Sequence, residues 1–116
     1  MSQRKTWLSL VAIVALATAA TQWWGHSRQQ ALGQQLAQAA SAGDIQMVSS
    51  TTCGICTRAR RWFQDNQVPF DECFIDRNAA CAARFEALRA PGTPVIVVRG
   101  QPQLGFDPQR ILLALK

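Results

Sequence analysis

The first 43 residues contain no acidic side chain, and from Trp7 to Gly25 there is no charge of either sign. An uncharged stretch of that kind is not a solvated surface segment, and it is just long enough to cross a bilayer core as a helix. Histidine is nearly missing: His26 is the only one, which excludes a catalytic or metal centre built from several imidazoles. His26 itself follows directly on the apolar stretch and reads as a polar residue at a membrane surface. The basic residues exceed the acidic ones by five, yet no Lys/Arg stripe with interleaved aromatics occurs, so no nucleic-acid partner is expected. No internal repeat is visible. With 48% hydrophobic and 16% charged residues, the chain is not disordered, and 116 residues are enough for one small domain plus an appendage.

Residues 7–24 read WLSLVAIVALATAATQWW. Trp7 lies at one end and Trp23 and Trp24 at the other, where indoles prefer the headgroup level. Arg4 and Lys5 precede the segment and favour a cytoplasmic N-terminus, which places the remainder across the membrane, in the periplasm of a Gram-negative cell or otherwise on the extracytoplasmic side. Residues 1–25 are thus expected to be a membrane anchor or uncleaved signal. The rival is a cleaved signal peptide, with Ala17-Thr18-Ala19 as an A-x-A site; both readings export the domain. Residues 26–43 are expected to be a helical or flexible tether. Leu32, Leu36, Ala39 and Ala40 make a thin apolar stripe at helical spacing, Gly33 weakens that helix, and Gly43 ends it.

Residues 44–116 form the expected domain. Ile45–Ser49 is a short apolar run after a Gly-Asp turn and predicts a buried strand. Thr57–Asn66 is rich in helix formers, with Ala59, Trp62 and Phe63 on one face. Phe70–Ile75 predicts a second strand, and Asn78 an N-cap before a helix over Ala79–Leu88. Val95–Val98 is a β-branched strand. Gly100 and Pro102 mark a turn, with Leu104-Gly105-Phe106 as the partner strand and Asp107-Pro108 opening a last helix to Leu115. The β-α-β-α-β-β-α order predicts an α/β fold with one mixed sheet, helices on both faces, and a right-handed parallel unit at its start.

The chemistry centres on Cys53-Gly54-Ile55-Cys56 at the junction of a strand and a helix. A cysteine at a helix N-terminus meets unpaired backbone N–H groups and the positive end of the macrodipole, which favour the thiolate. Cys53 is therefore the expected nucleophile. Cys56, three residues on, can attack a mixed disulfide on Cys53 and release the product. Gly54 permits the turn and the approach of a partner chain. Arg58, Arg60 and Arg61 either add positive charge near the thiolate or are solvated helix arginines. Cys73 and Cys81 admit three readings: a structural disulfide in an oxidising compartment, which would stabilise by about 2–3 kcal/mol; buried thiols acting as small core residues; or an auxiliary redox pair. Two other functions compete. The four cysteines could ligate Cu(I), Zn or an Fe–S cluster, although the spacing departs from paired C-x2-C knuckles. A tethered adaptor without turnover is the other, and the presence of both Cys53 and Cys56 argues against it.

Taken together, Cys53-Gly-Ile-Cys56 followed by Thr57-Arg58-Ala59-Arg60, then Gly92-Thr93-Pro94-Val95, then Gly105-Phe106-Asp107, resemble the glutaredoxin branch of the thioredoxin fold. The resemblance covers residues 44–116. It implies a four-stranded mixed sheet with three flanking helices, beside the N-terminal transmembrane helix, and thiol–disulfide oxidoreductase activity without a metal or bound cofactor. Glutathione would be the co-substrate, or protein thiols and disulfides the partners. It further implies that Pro94 is a cis-proline facing the cysteines, with the Thr93 backbone presented to an extended substrate. By the same resemblance, Phe106 and Asp107 grip the γ-glutamyl end of glutathione, and Arg58 lies near the glycyl carboxylate. The chain departs from the family in two places. Ser49–Thr52 lack the lysine that many members carry before the first cysteine, and Gly54-Ile55 lack the aromatic between the two.

Overall fold

The computed structural model describes residues 2–116, which divide into two compact units, one ending at Ala31 and one running from Leu32 to Lys116. A single helix, α1 (Ser2–Ala39), carries the first unit and ends inside the second. Up to Ala31 its side chains are almost all exposed, including Trp7, Trp23 and Trp24, and it is long and apolar enough to cross a membrane. The hydroxyl groups within its apolar stretch 7–24, and that of Thr6 just before it, do not stand free. Those of Thr6, Ser9, Thr18 and Thr21 donate to the carbonyl oxygens of Ser2, Lys5, Val14 and Ala17, four residues earlier, at 2.7–2.9 Å. Such back-bonding satisfies groups that hydrocarbon could not.

The second unit contains β1 (Ile45–Ser49), α2 (Gly54–Asp65), β2 (Asp71–Phe74), α3 (Ala79–Leu88), β3 (Val95–Val98), β4 (Gln101–Leu104) and α4 (Pro108–Ala114). The sheet order is β2-β1-β3-β4. β1 and β2 are parallel and joined through α2, with Val48 opposite Cys73, while β3 runs antiparallel to both β1 and β4. This is the mixed-sheet α/β architecture expected from the element order, in the thioredoxin-like form that the family resemblance implies.

The strand period of two sorts the core into two layers. Ile45, Met47, Ile96 and Val98 point to one face, where they meet Ala59 and Phe63 of α2, Ile111 and Leu112 of α4, and Leu36 of α1. Val48, Val95 and Val97 point to the other, where α3 covers them with Cys81, Phe85 and Leu88.

Two elements lie differently from the sequence expectation. The 26–43 stretch is not a tether along its whole length. α1 runs unbroken through Gly33, and Leu36 and Ala40 are buried in the core. Gly33 itself is buried against the side chain of Asn66, and a Cβ there would collide with it. Glycine costs helix propensity at this point but allows two helices to approach.

The last strand is also displaced. The hairpin turn falls on Arg99 (φ 47°) and Gly100 (φ 84°), a two-residue connection with both residues in the left-handed region. The partner strand therefore starts at Gln101 and contains Pro102, opposite Val97. A proline is tolerated there because β4 is an edge strand, whose outer side needs no N–H donor.

Candidate active site

Cys53 occupies the N-cap of α2, with extended backbone dihedrals (φ −93°, ψ 111°), and its Sγ accepts the N–H of Cys56 at 3.1 Å. The helix thus begins one turn earlier than the run of helix formers indicated, because the cysteine sulfur serves as the capping acceptor. Cys53 and Cys56 are joined as a disulfide, Cα to Cα 5.2 Å. Cys56 is fully buried and Cys53 half-buried, so the sulfur open to an incoming group is that of Cys53. The Thr93–Pro94 peptide is cis, Pro94 is buried, and the carbonyl oxygen of Thr93 lies 3.6 Å from Cys53 Sγ. Three separate segments therefore meet: the end of β1, the start of α2 and the start of β3.

Gly105 ties a fourth segment to them. Its N–H donates to the carbonyl of Pro94 at 3.0 Å, which brings the 105–107 stretch beside the proline. Within that stretch the two predicted ligand residues differ. Asp107 is exposed and caps α4, accepting from the N–H of Gln109 at 3.1 Å. Phe106 is turned inward, edge-on to Trp62 (5.6 Å) and Phe63 (5.4 Å). Its ring builds the wall behind the loop. Arg58 projects from the exposed side of α2, while Arg61 is exposed on the same helix.

Arg60 is not available to a thiolate. Its guanidinium donates twice to Glu72, at 2.6 and 2.8 Å, and lies over the ring of Phe74 at 5.4 Å. The hydrogen bonds to Glu72 push its pKa further up than an ordinary arginine's. Glu72 also accepts from the hydroxyl of Ser49, which is fully buried, at 2.6 Å. The resulting network staples α2 to β1 and β2 just below the cysteines. At Gly54 the turn does not need glycine's conformational freedom. Its φ is not left-handed, and a Cβ there would meet nothing within 4 Å, so the backbone does not demand glycine.

Cys73 of β2 and Cys81 of α3 are joined as a second disulfide, Cα to Cα 5.9 Å. The four cysteines thus form two pairs, and among the described residues no group of three or more His, Cys, Asp or Glu converges on one point. One residue with a contact to this site had no sequence signal beyond a turn. Asp76 follows β2, and its carboxylate accepts both the N–H and the hydroxyl of Thr51, two residues ahead of Cys53.

The arrangement can carry thiol–disulfide exchange: an accessible sulfur where helix amides favour negative charge, a second sulfur within bonding distance behind it, and a backbone carbonyl alongside for an extended substrate.

Comparison with known proteins agrees. The chain is similar to the thioredoxin-like protein BC3987, solved as a mutant, at 22% identity and a TM-score of 0.56, over 64% of this chain and 99% of that one. It is also similar to a glutaredoxin from Archaeoglobus fulgidus at 19% identity and a TM-score of 0.52, over 63% and 86%. These two establish the fold. No curated protein sequence matches. The glutaredoxin family profile matches residues 45–102, half of the chain, from β1 through the cysteine pair and the cis-proline into β4. The chain therefore belongs to the glutaredoxin family and is a thiol–disulfide oxidoreductase.

Proposed function

We propose that Cys53 is the nucleophile and Cys56 the resolving thiol of a dithiol exchange cycle linked to glutathione or to protein thiols outside the cytoplasm. The carrying observation is the half-exposed sulfur at the N-cap of α2 with the Thr93 carbonyl 3.6 Å away. In the reduced enzyme the Cys53 thiolate attacks one sulfur of a substrate disulfide, forming a mixed disulfide and expelling the other sulfur as a thiolate. Cys56, deprotonated, then attacks Cys53 Sγ. The substrate's second sulfur leaves as a thiolate, and two electrons have passed from the dithiol to the substrate. Two glutathione thiols regenerate the dithiol by the reverse chemistry and leave as glutathione disulfide. No metal and no bound cofactor enters this cycle.

The binding residues in this reading are Thr93 and Pro94, through the backbone, with Asp107 for the ligand's ammonium and Arg58 for a carboxylate. Phe106 contributes by shaping the loop that carries Asp107. Residues 44–116 form the catalytic domain, extended at its start by the end of α1 from Leu32. Residues 1–25 hold the domain at the membrane through the apolar stretch 7–24, with Arg4 and Lys5 on the cytoplasmic side.

The decisive experiment compares Cys53→Ser and Cys56→Ser. Cys53→Ser abolishes all exchange. Cys56→Ser keeps reduction of a glutathione mixed disulfide, which needs one sulfur, and loses reduction of a protein disulfide, which needs two. Undiminished exchange in Cys53→Ser overturns the assignment.

A further inference from the structure

The turn that delivers Cys53 to its helix is gripped from outside by a residue distant in sequence. Thr51 and Cys53 belong to one tight turn, closed by the N–H of Cys53 on the carbonyl of Ser50 at 3.3 Å. Asp76 holds that turn at its apex. Its two carboxylate oxygens lie 3.2 and 3.3 Å from the N–H of Thr51, and one of them also takes the Thr51 hydroxyl. These bonds hold the carboxyl of Asp76 below the usual range, the Thr51 hydroxyl contributing most.

Asp76 is in turn held in place. The N–H of Ile75 bonds to the carbonyl of Ser49 at 2.9 Å, and those of Arg77 and Asn78 bond to the carbonyl of Phe74 at 3.2 and 3.1 Å. Asn78 caps α3 through the N–H of Cys81. The Cys73–Cys81 disulfide closes the whole connection into a ring with Asp76 inside it.

We propose that Asp76 is a positioning residue for Cys53: its grip on Thr51 fixes the Ser50–Cys53 turn, which sets Cys53 Sγ beneath the Cys56 N–H and beside the Thr93 carbonyl, and the Cys73–Cys81 disulfide is the brace that keeps Asp76 in place. The proposal rests on Cys53 being the nucleophile. It gives the second disulfide a task in the chemistry of the first without any electrons passing between them.

Charge and position pull in opposite directions here, which makes the idea testable. A carboxylate near a thiol raises the thiol pKa by Coulomb repulsion, so removing the charge alone lowers it. Losing the grip loosens the N-cap geometry and raises it. Asp76→Asn keeps an acceptor for Thr51 and removes the charge, whereas Asp76→Ala removes both.

The experiment uses the full chain in detergent with Cys56→Ser as the parent, so that Cys53 is free while Cys73–Cys81 stays oxidised. The readout is the pH dependence of Cys53 alkylation by iodoacetamide, followed by peptide mass. Asp76→Ala shifts the midpoint to higher pH and slows alkylation at pH 6 by about three- to tenfold, half to one pKa unit. Asp76→Asn stays within about twofold of the parent. Cys73→Ala with Cys81→Ala moves the profile the same way as Asp76→Ala and adds little on top of it, because the two act through one link. Should Asp76→Ala fail to fold, Thr51→Val, which removes only the hydroxyl bond, decides by a smaller shift in the same direction. An Asp76→Ala profile that overlays the parent's, or profiles that move to lower pH in both Asp76 variants, overturn the positioning role. If the parent itself titrates near the ordinary thiol value of about 8.5, the nucleophile assignment falls and takes this inference with it.

Discussion

Single residues decide more of this site than their type announces. Glu72 is a strand residue with a carboxylate, which ordinarily faces water. Here it accepts from the buried Ser49 hydroxyl and from two guanidinium nitrogens of Arg60. Glu72→Ala strands a buried donor and unpairs a partly screened cation, and an unfolding midpoint in urea should fall by the equivalent of about 1–3 kcal/mol. Arg60→Leu, which keeps the packing on Phe74, costs less than that. Asp107 is the contrasting case, exposed and holding only a local cap. Asp107→Ala should raise KM for a glutathione mixed disulfide about tenfold, the worth of one charge-assisted bond, and leave kcat nearly unchanged. An unaltered KM removes Asp107 from the ligand. The cysteine pair and Thr93-Pro94 were legible in the sequence because their spacing is itself the signal. The grip of Asp76 on Thr51 and the capture of Arg60 by Glu72 were not, since each joins segments 12 or more residues apart and neither leaves a local pattern.

Secondary-structure elements show where local reading stops. β1, α3 and β3 sit where periodicity and capping residues placed them, since each is bounded by residues whose backbone preference is strong: Gly43 before β1, Asn78 before α3, Pro94 before β3. β4 moved because Pro102 carries two meanings, turn former and edge-strand resident, and only the sheet order chooses between them. The end of α1 differs from its sequence expectation for a related cause: four small or apolar residues in a polar stretch look like a weak surface stripe until the sheet they cover is known. Leu36 is fully buried among Phe63, Ile111 and their neighbours. Leu36→Ala should therefore destabilise the domain by about 2–5 kcal/mol, whereas Leu8→Ala, on the exposed stretch, should leave the unfolding midpoint of the domain unchanged. Equal effects of the two would mean that the last turns of α1 are a tether after all.

At the scale of the whole chain, one behaviour follows from charge and another from its absence. The carboxyl of Asp44 is held below the usual range by the N–H of Ser41 first and by Arg99 second, and that of Asp76 by Thr51. Both groups start from an unperturbed value of 3.8. A depressed folded pKa gives stability that is fully present above the unfolded value and is lost as pH falls through the folded one. Melting temperature should thus be flat from neutrality to about pH 5 and decline below about pH 4, and Asp44→Asn should flatten part of that decline. The apolar stretch sets the second behaviour. If it anchors the chain, the protein stays with the membrane pellet through alkaline carbonate extraction and its intact mass includes Trp7. A mass that begins after Ala19 identifies a cleaved leader instead.

The burial of Leu36 has a consequence for any form of this enzyme shortened from its N-terminal end. A protease working inward from the N-terminal end removes no core side chain until it passes Ala31. Five residues further it takes out a member of the cluster that packs Phe63 and Ile111. Trimming beyond that point therefore costs the domain part of its core. A shortened domain that still works has to keep the last two turns of α1.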